Sequence, residues 1–457
     1  MGKKKVVVGM SGGVDSSVAA YLLKKAGYDV IGVTMQIWQD EAETVQEENG
    51  GCCGLSAVDD ARRVAQVLDI PYYVMNFKKE FRENVMDYFT NEYLCGRTPN
   101  PCIACNRYVK WEALLQRSLS IGADYIATGH YARIEQLANG RYAIANSVTA
   151  AKDQTYALYN LTQEQLSHTL MPVGDYTKDQ IREIAAKIGL PVAKKKDSQE
   201  ICFVPDQDYA SFIQNETGIV APKGNFVNTK GEILGSHEGI THYTVGQRRG
   251  LGLPMGHRVF VLEIRPETNE VVVGENEEVF AKVVKANKVN YMAIPPLELG
   301  EELSCTAKIR YGHKGSPCVI KRTGEDEITC TFPDGVRAPT PGQAVVFYVD
   351  GCVGGGGQPI HDGEELAFAR GRKLYALDAK ADIRYSHENP DIREIYSDFL
   401  ESRCPIRRIC CCIRSIGKII KVSVKLRIQE KHADAKTSAC FSCIERSWML
   451  CLLTAHE

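Results

Sequence analysis

The run SGGVDSS at residues 11–17 constrains this chain most, because it lies between a Val-rich segment and a helical pattern. Residues 5–9 predict a short buried strand, and the apolar spacing of residues 16–25 predicts a helix that ends near Gly27. A loop of Gly and Ser at such a junction directs backbone N–H groups and the positive end of the helix dipole at one point. The loop therefore predicts a phosphate site.

The residue types within the loop fit a phosphate ligand. Gly12 and Gly13 allow close approach of the backbone, and Asp15 can hold Mg²⁺ that is bound to the phosphates. The hydroxyl donors are Ser11, Ser16 and Ser17. The loop lacks the Gly-Lys-Ser/Thr ending of the P-loop and so belongs to another class of phosphate-binding loop. The alternative is a glycine-rich turn that binds no ligand.

Strand and helix patterns alternate through the first part of the chain. Candidate strands at residues 30–35, 72–74 and 125–128 are interleaved with candidate helices at residues 57–68, 111–120 and 178–188. This alternation is typical of an α/β fold with a parallel sheet that carries helices on both faces. We expect this domain to occupy residues 1–206.

From about residue 223 the pattern changes to short apolar runs punctuated by glycine. The runs are residues 239–250, 259–264, 271–274, 302–311, 317–321, 328–332 and 344–349. They predict small antiparallel β modules of the barrel type. We expect a central β module at residues 207–280 and a C-terminal β-barrel at residues 281–357.

Composition excludes some classes of protein. At 457 residues the chain is long enough for several domains. It has no uninterrupted apolar stretch of about 18 residues and no signal-peptide pattern, so we expect a cytoplasmic protein that does not associate with membranes. In that compartment the 17 cysteines are expected to serve chemistry, metal binding or packing. The net charge of -2 does not by itself indicate nucleic-acid binding.

Two cysteine segments, residues 98–110 (TPNPCIACNRYVK) and 197–204 (DSQEICFV), identify a family. Together with the SGGVDSS loop they resemble the N-type ATP pyrophosphatases and, among these, the tRNA-uridine 2-sulfurtransferases. The segments ATGHYAR, AKDQTYAL, THYTVGQRRGLG and KIRYG match the same family, and the resemblance covers residues 1–357. It implies a monomeric enzyme that uses ATP and Mg²⁺ to convert the wobble uridine of tRNA to 2-thiouridine, with sulfur from a cysteine desulfurase or a relay protein.

The resemblance also implies roles for individual residues. Cys105 is the expected nucleophile and Cys202 the expected persulfide carrier, with a transient Cys105–Cys202 disulfide in each turnover and Asp15 as a further catalytic residue. The implied ATP site comprises Gly9, Met10, Ser11, Gly12, Gly13, Val14, Asp15, Ser16, Met35 and Gly129. The implied tRNA contacts are Asn100, Pro101, Cys102, His130, Lys152, Asp153, Gln154, Arg310, Tyr311 and Gln343. Further candidate phosphate contacts are Lys194, Lys195, Lys196, Arg248 and Arg249, which suit a solvated surface equally well. For Cys52, Cys53 and Cys95 we expect packing or incidental exposure.

Cys102 departs from the family pattern, because many members carry an aspartate at this position. Cys102, Cys105 and Cys202 are therefore candidate ligands of a four-iron four-sulfur cluster that would carry sulfide, and zinc is a weaker alternative because no fourth ligand is evident. Two other functions stay open. An ATP pyrophosphatase acting on a small molecule leaves the cysteines unexplained, and a catalytically silent RNA-binding protein has no use for SGGVDSS.

The chain beyond Gly357 does not match this family. Residues 358–401 resemble the small-subunit region of iron-only hydrogenases, but the cluster ligands of those enzymes belong to other regions, so we expect no hydrogenase activity. Residues 402–457 contain seven cysteines and carry a net charge of +7, from 11 Lys and Arg against four Asp and Glu. We expect a gene fusion that ends in a frame-shifted or disordered tail; the alternative is a sulfur-receiving or metal-binding tail.

Overall fold

The computed structural model of the chain describes residues 2–37, 55–195 and 201–360. The predictions for Cys52, Cys53, Lys196 and residues 197–200 and 361–457 lie outside the described residues. The first strands are β1 (Lys5–Gly9), β2 (Asp29–Gln36), β3 (Tyr72–Asn76), β4 (Tyr125–Ala127), β5 (Ala132–Gln136), β6 (Tyr142–Asn146) and β7 (Thr169–Leu170). The first helices are α1 (Val14–Lys25), α2 (Leu55–Val67), α3 (Lys78–Phe81), α4 (Asp87–Leu94), α5 (Pro101–Ala104), α6 (Leu115–Ser120), α7 (Gln163–Ser167) and α8 (Lys178–Lys187). Two π-helical segments join neighbouring helices: Arg82–Met86 lies between α3 and α4, and Cys105–Leu114 between α5 and α6.

Five parallel strands form the first sheet, in the order β3-β2-β1-β4-β7. The central strand β1 is Val-rich and its three valines are fully buried, as expected for a parallel sheet that is covered on both faces. Two apolar clusters pack against this sheet. One contains Val18 of α1 and Ile181 of α8, and the other contains Trp111 and Leu114 of the π-helical segment Cys105–Leu114. The α/β fold predicted from the sequence is confirmed.

The next region is built on a four-stranded sheet in the order β10-β11-β8-β9. Its elements are α9 (Tyr209–Thr217), β8 (Gly224–Val227), β9 (Ile233–His237), β10 (Phe260–Arg265) and β11 (Glu270–Gly274). The β8 and β11 pair is parallel and the other two pairs are antiparallel. The module is therefore mixed, whereas the sequence pattern predicted antiparallel pairing throughout.

Six further strands close a barrel. They are β12 (Phe280–Tyr291), β13 (Glu302–Lys308), β14 (Ser316–Gly324), β15 (Glu327–Arg337), β16 (Val345–Val349) and β17 (Cys352–Ile360). The order β12-β15-β14-β13-β16-β17 is completed by pairing of β12 with β17, which leaves no free edge among these six strands. The β5–β6 hairpin extends the same sheet, because Ala145 of β6 pairs with Cys352 of β17.

The prediction of a strand at residues 239–250 is wrong. Residues Ile240–His242 form a short 3-10 helix, and the rest of the segment is turn and loop. Gly239, Gly246 and Gly250 have φ values of +134°, +88° and +76°. These backbone angles favour glycine and do not continue a strand ladder, so the glycines end the strand pattern that their apolar neighbours suggest.

Within the described ranges, no helix has the length and apolar character that a membrane crossing requires.

His237 is a buried histidine of the central module. It is 2% exposed, its Nε2–H donates to the Asn269 carbonyl at 3.2 Å, and its Nδ1 accepts from the Gly239 N–H at 3.1 Å. Burial lowers the pKa of His237 below 6.5. Because the unfolded chain then takes up the proton at the higher pH, this stabilisation is present above pH 6.5 and is lost as the pH falls through the lowered pKa.

We expect the melting temperature of the wild type to decrease as the pH is lowered from about 7.5 to about 5.5. In a His237→Gln variant the melting temperature should decrease less over the same pH range. Thermal unfolding followed by circular dichroism measures both slopes. Equal slopes for His237→Gln and wild type would contradict the assignment.

Candidate active site

The SGGVDSS loop connects the end of β1 to the start of α1, as its sequence predicts. The Met10 N–H donates to the Val33 carbonyl at 2.8 Å, and the Met10 carbonyl accepts from the Thr34 hydroxyl at 2.7 Å. These bonds hold the loop against β2, whose half-buried Met35 follows directly. Met10 is thus a buried anchor of the loop.

Close packing surrounds the loop on two sides. Gly12 has φ +66°, and a Cβ there would lie 2.4 Å from the Ala57 carbonyl oxygen of α2. A Cβ on Gly129 would lie 2.6 Å from the Ser16 backbone nitrogen. Neither position has room for a side chain, so both glycines are required by the close approach of other backbone segments. A Cβ on Gly9 or Gly13 would meet only ordinary contacts or a flexible serine oxygen.

The serines of the loop are held by local hydrogen bonds. The Ser11 N–H donates to the Ser16 hydroxyl oxygen at 3.2 Å, and the Ser17 hydroxyl donates to the Gly13 carbonyl at 2.7 Å. Val14 begins α1, and within the described part of the chain no side chain caps this helix start. The first-turn N–H groups therefore stay available to an anion.

Asp15 lies in the first turn of α1 and forms a network that the sequence did not predict. The Lys178 ammonium lies 2.8 Å from each Asp15 carboxylate oxygen, and the Tyr131 hydroxyl donates to Oδ1 at 2.7 Å. The Asp15 and Lys178 side chains are 30% and 12% exposed. The carboxylate that we expected to hold Mg²⁺ is therefore an ion-pair partner in the structure.

Residues 151–158 (AKDQTYAL) support this network through a contact with Tyr131. The Gln154 side-chain oxygen accepts from the Tyr131 N–H at 2.8 Å, so Gln154 holds the tyrosine that contacts Asp15. Asp153 accepts from the Ser147 and Thr155 N–H groups at 3.0 and 3.2 Å, and its side chain is 7% exposed. Lys152 is half-buried in the preceding 3-10 turn. Gln154 and Asp153 therefore have structural contacts in a segment that we expected to touch tRNA.

His130 follows Gly129, which packs against the SGGVDSS loop, and contacts the helix that carries Cys105. The Lys110 ammonium donates to His130 Nε2 at 3.4 Å and to the Asn106 side-chain oxygen at 2.8 Å. His130 Nδ1 must then carry the proton, which it donates to the Thr128 hydroxyl oxygen at 2.7 Å. Burial, with a smaller contribution from the Lys110 charge, lowers the pKa of His130 well below 6.5. His130 is thus a neutral link between Gly129 and the residue next to Cys105.

The cysteine loop begins with a capped helix. The Asn100 side-chain oxygen accepts from the Cys102 N–H at 3.1 Å and the Ile103 N–H at 3.4 Å, and Pro101 occupies the first helical position. Cys102 is exposed, and Cys105 is half-buried at the start of the π-helical segment. A π-helical segment of this kind is often found at functional sites.

Cys202 lies in a turn that begins where the described chain resumes. Its neighbour Phe203 packs against Phe81, Phe89 and Phe212, with ring centroids 5.2 to 5.7 Å apart. Cys202 and Cys105 are both half-buried thiols against the same apolar cluster, which contains Phe81, Ile103 and Trp111. The fold brings the expected nucleophile, Cys105, and the expected persulfide carrier, Cys202, to one cluster from segments far apart in the chain.

Thr98 is a junction of the three folded regions. Its N–H donates to the Pro341 carbonyl at 2.9 Å, and its carbonyl accepts from the Gln343 amide at 2.8 Å. Its hydroxyl lies 3.1 Å from the Thr244 hydroxyl of the central module. Gln343, an expected tRNA contact, therefore holds the extended segment that leads to the cysteine loop.

Gly342 allows this contact and provides a test of it. It has φ +87°, and a Cβ would lie 2.9 Å from the Thr98 carbonyl carbon. We expect Gly342→Ala to lower the free energy of unfolding by about 1–3 kcal/mol beyond its matched control, because backbone must move to relieve the overlap. We also expect slower thiolation with little change in ATP binding.

The control is Gly300→Ala, which has φ +85° in the same barrel but nothing within 4 Å of a Cβ. Chemical denaturation compares the two variants. If they lose equal stability, the Thr98 contact does not constrain residue 342.

The barrel contributes Arg310 and Tyr311 to the same region. Tyr311 is 50% exposed and its ring meets that of Tyr156 edge-on, with centroids 6.3 Å apart. Burial is the main cause that raises the pKa of Tyr311, and the charges of Asp153 and Cys102 raise it further. Tyr311 therefore lies within electrostatic range of the exposed cysteine and can offer a ring for base stacking.

The described residues do not form a metal centre around the three cysteines. Across residues 2–37, 55–195 and 201–360, no group of three or more His, Cys, Asp or Glu side chains is placed to hold a metal ion. Among the described residues, Cys102, Cys105 and Cys202 are thus not grouped as metal ligands. Mg²⁺ is a different case, since it is commonly held by one carboxylate together with substrate phosphates, and Asp15 fits that role.

Family models match the chain in consecutive segments. The tRNA methyl transferase HUP domain matches residues 4–206, the tRNA methyl transferase PRC-barrel domain 210–275 and the aminomethyltransferase beta-barrel domain 281–358. The iron hydrogenase small subunit matches residues 364–405. Because these descriptions name methyl transfer, the family is decided by relatives that match over almost their whole length.

Three relatives that match over almost their whole length carry the name tRNA-specific 2-thiouridylase MnmA. That of Lachnoclostridium phytofermentans is 71% identical over 357 residues, which is 78% of this chain and 99% of the relative. That of Clostridium perfringens is 57% identical over 78% of this chain and 98% of the relative. That of Carboxydothermus hydrogenoformans is 54% identical with the same coverage. The chain belongs to the tRNA-specific 2-thiouridylase family. The family and the class of enzyme predicted from the sequence are thereby confirmed, as is the hydrogenase resemblance that follows the thiouridylase region.

A solved 4-thiouridine synthetase–RNA complex with bound ATP aligns with a TM-score of 0.28 at 20% identity, over 45% of this chain and 46% of that one. This score is too low to carry an argument.

Several residues of this thiouridylase site were missed in the sequence. The sequence contains a signal for Lys178, because a lysine at the first position of a helix opposes the usual preference for acidic residues there. Tyr131 and Lys110 lie inside the family segments ATGHYAR and TPNPCIACNRYVK, so they could have been included with their neighbours. Among the candidate phosphate contacts, Lys195 instead pairs with Asp60 at 2.8 Å. Lys194, Arg248 and Arg249 are exposed.

Proposed function

We propose that this thiouridylase adenylates O2 of the wobble uridine of tRNA and replaces it with sulfur taken from a persulfide on Cys202. The observation that carries the proposal is the continuous contact from the phosphate loop to the cysteine helix, through Gly129, His130, Lys110 and Asn106. Such a link suits an enzyme in which activation of an oxygen and delivery of a nucleophile must take place at one carbonyl group.

In the first step uridine O2 attacks the α-phosphorus of ATP. The bond from that phosphorus to the bridging oxygen breaks, and pyrophosphate leaves with the electron pair. The α1 N-terminus and the N–H groups of the loop stabilise the negative charge of the phosphates. Residues Gly9 to Ser16, with Met35 and Gly129, are proposed to form this ATP site, and Mg²⁺ held by Asp15 would supply further charge stabilisation when bound.

In the second step the Cys105 thiolate attacks the inner sulfur of the Cys202 persulfide. A Cys105–Cys202 disulfide forms and hydrosulfide leaves with the electron pair. Hydrosulfide adds to C2 of the adenylated uridine, AMP departs with the former O2, and loss of a proton gives 2-thiouridine. A thiol reductant must then supply two electrons and two protons to regenerate both thiols.

The tRNA is proposed to lie across the cysteine loop and the barrel. Supporting this surface are the exposed Cys102, the half-exposed Tyr311 ring and the neighbouring Arg310, which can pair with phosphate. Asn100, Pro101, His130, Lys152, Asp153, Gln154 and Gln343 are proposed to shape it. For Asp153, Gln154 and Gln343 the proposal is indirect, because their side chains hold other parts of the protein.

We further propose residues 1–206 as the catalytic domain, 207–280 as the central module and 281–357 as the barrel. The sulfur donor, a cysteine desulfurase or a relay protein, the monomeric state and the cytoplasmic location stay predictions from the sequence. The same is true of a cluster on the three cysteines, which the Cys102 variant described below tests.

The test is an assay of wild-type protein with ATP, Mg²⁺, an unmodified tRNA transcript and a persulfide donor. Mass spectrometry of the digested tRNA should show 2-thiouridine at the wobble position, with one AMP and one pyrophosphate for each sulfur transferred. AMP formation that does not depend on tRNA would favour a small-molecule substrate. Binding of tRNA without AMP formation would favour a catalytically silent RNA-binding protein. Either result contradicts the proposal.

A further inference from the structure

We infer that Cys102 resolves the Cys105–Cys202 disulfide that each turnover leaves, by a thiol–disulfide exchange that moves the disulfide onto Cys102 and Cys105. The inference deepens the proposed function and rests on its persulfide step. Two observations carry it: Cys102 and Cys105 lie one helical turn apart, and Cys102 is exposed where the other two thiols are half-buried.

The backbone places Cys102 and Cys105 on one side of the same turn. The Cys105 N–H donates to the carbonyls of Cys102 and Pro101, and Asn100 caps the turn by accepting from the Cys102 N–H at 3.1 Å. Residues three apart in a helix have Cβ atoms about 5–6 Å apart, and a disulfide needs about 3.5–4.5 Å. A tightening of this turn by about 1–2 Å therefore brings the two sulfurs into bonding distance.

The three thiols differ in their access to solvent. Cys102 is exposed, whereas Cys105 and Cys202 are half-buried against the apolar cluster that contains Ile103 and Trp111. Attack on a disulfide requires access to one of its sulfurs, so a bond between two half-buried sulfurs reacts slowly with a bulky reductant. A disulfide that includes Cys102 presents an exposed sulfur. The exchange thus moves the oxidised bond from the interior to the surface.

Cys102 is also the residue at which this chain departs from the many family members that carry aspartate. A carboxylate cannot attack a sulfur atom and form a disulfide, whereas a thiolate can. The replacement keeps a small polar side chain at the capped turn and adds this one reaction. The departure from the family pattern is therefore explained by a step that follows sulfur transfer.

The exchange needs no oxidant. The Cys102 thiol gives up its proton, and its sulfur attacks the Cys105 sulfur of the Cys105–Cys202 disulfide. The bond between Cys105 and Cys202 breaks, and the Cys202 sulfur leaves with the electron pair and takes up a proton. One disulfide replaces another, so the protein as a whole is neither oxidised nor reduced. Cys202 can then receive the next sulfur.

Reduction follows at the exposed sulfur. One thiolate of a dithiol reductant attacks the Cys102 sulfur, and the Cys105 sulfur leaves with the electron pair and is protonated. The second thiol of the reductant then attacks the reductant sulfur of the mixed disulfide and releases Cys102. The reductant becomes a disulfide, and it has supplied the two electrons and two protons of the turnover.

The test maps the disulfides of the full chain after one turnover. Protein loaded with persulfide and separated from the donor is mixed with ATP, Mg²⁺ and tRNA without reductant, then quenched in acid and alkylated. Trypsin cleaves after Arg97 and Arg107, so Cys102 and Cys105 share the peptide of residues 98–107. We expect mass spectrometry to show this peptide with an internal disulfide, and Cys202 alkylated.

The Cys102→Ser variant gives the contrasting pattern. Its peptide of residues 98–107 should be cross-linked to the peptide that contains Cys202, because the exchange cannot occur. If the wild type holds only this cross-link, with Cys102 alkylated, the inference is wrong. If the wild type forms no 2-thiouridine at all, the proposed function is contradicted instead.

Repeated turnover with a limiting dithiol reductant gives the second measurement. Cys102→Ser should form about one 2-thiouridine per protein and then continue about tenfold more slowly than the wild type, or slower still. Cys102→Asp, which restores the common family residue, should behave in the same way. The matched control is Cys95→Ser, at a half-buried cysteine of the same region, which should match the wild type throughout.

Two results of this measurement would overturn the inference. Repeated turnover of Cys102→Ser at the wild-type rate would show that the Cys105–Cys202 disulfide is reduced directly. A first turnover that yields no 2-thiouridine, in Cys102→Ser protein that circular dichroism shows to be folded, would place Cys102 in sulfur transfer itself.

Discussion

Cys105→Ser should abolish 2-thiouridine formation, by on the order of 10³-fold or more, while ATP binding stays at the wild-type level. Serine keeps the size of the side chain at the start of the π-helical segment but cannot attack the sulfur of a persulfide at neutral pH. The phosphate loop lies in a different segment and keeps its contacts. Nucleoside mass spectrometry measures the product, and calorimetry measures ATP binding.

Three further cysteine variants make this result specific. Cys95→Ser is the matched control, since Cys95 is also half-buried in the same region, and we expect normal thiolation. Cys202→Ser should lose transfer from a persulfide donor as completely as Cys105→Ser does. Cys102→Ser distinguishes the sulfur carriers, because a cluster needs this ligand and a persulfide relay does not. Thiolation by Cys105→Ser at the wild-type rate would refute the role of that thiol.

Gly12→Ala should weaken ATP binding strongly and lower product formation with it. The new Cβ would lie 2.4 Å from the Ala57 carbonyl oxygen, and the residue would have to keep φ +66°. Strain and overlap together amount to about 2–5 kcal/mol, which the chain can relieve only by moving the loop away from α2. Because the loop presents N–H groups to phosphate, this movement should weaken ATP binding by on the order of 10²-fold or more.

Gly27→Ala is the matched control at the other end of α1. Gly27 has φ +92°, but a Cβ there meets nothing within 4 Å. It therefore carries the backbone strain without the overlap, and we expect it to lower stability by about 1–3 kcal/mol and to leave ATP binding intact. Calorimetry on the folded variants decides between them. If Gly12→Ala binds ATP as tightly as Gly27→Ala, the loop is not the nucleotide site.

Local pattern was a good guide to the first sheet and a poorer one to the β modules. Each buried strand of the parallel sheet leaves an apolar run in the sequence, since both of its faces are covered. In the central module, the run at residues 239–250 has the apolar residues of a strand, yet three glycines with positive φ turn it into a loop. The β5–β6 hairpin joins the barrel sheet through a single residue pair far along the chain, which local pattern does not reveal.

By itself the sequence determined the phosphate loop, the two cysteine segments, the α/β fold and the family, because each is encoded in a short run of residues or in a local period. Only the tertiary structure decided which groups these residues meet. Asp15 pairs with Lys178 from 163 residues away, and Thr98 is held by Gln343 from 245 residues away. An ion pair or hydrogen bond between distant segments forms when packing brings two side chains together, and neither side chain needs a distinctive neighbourhood in the sequence.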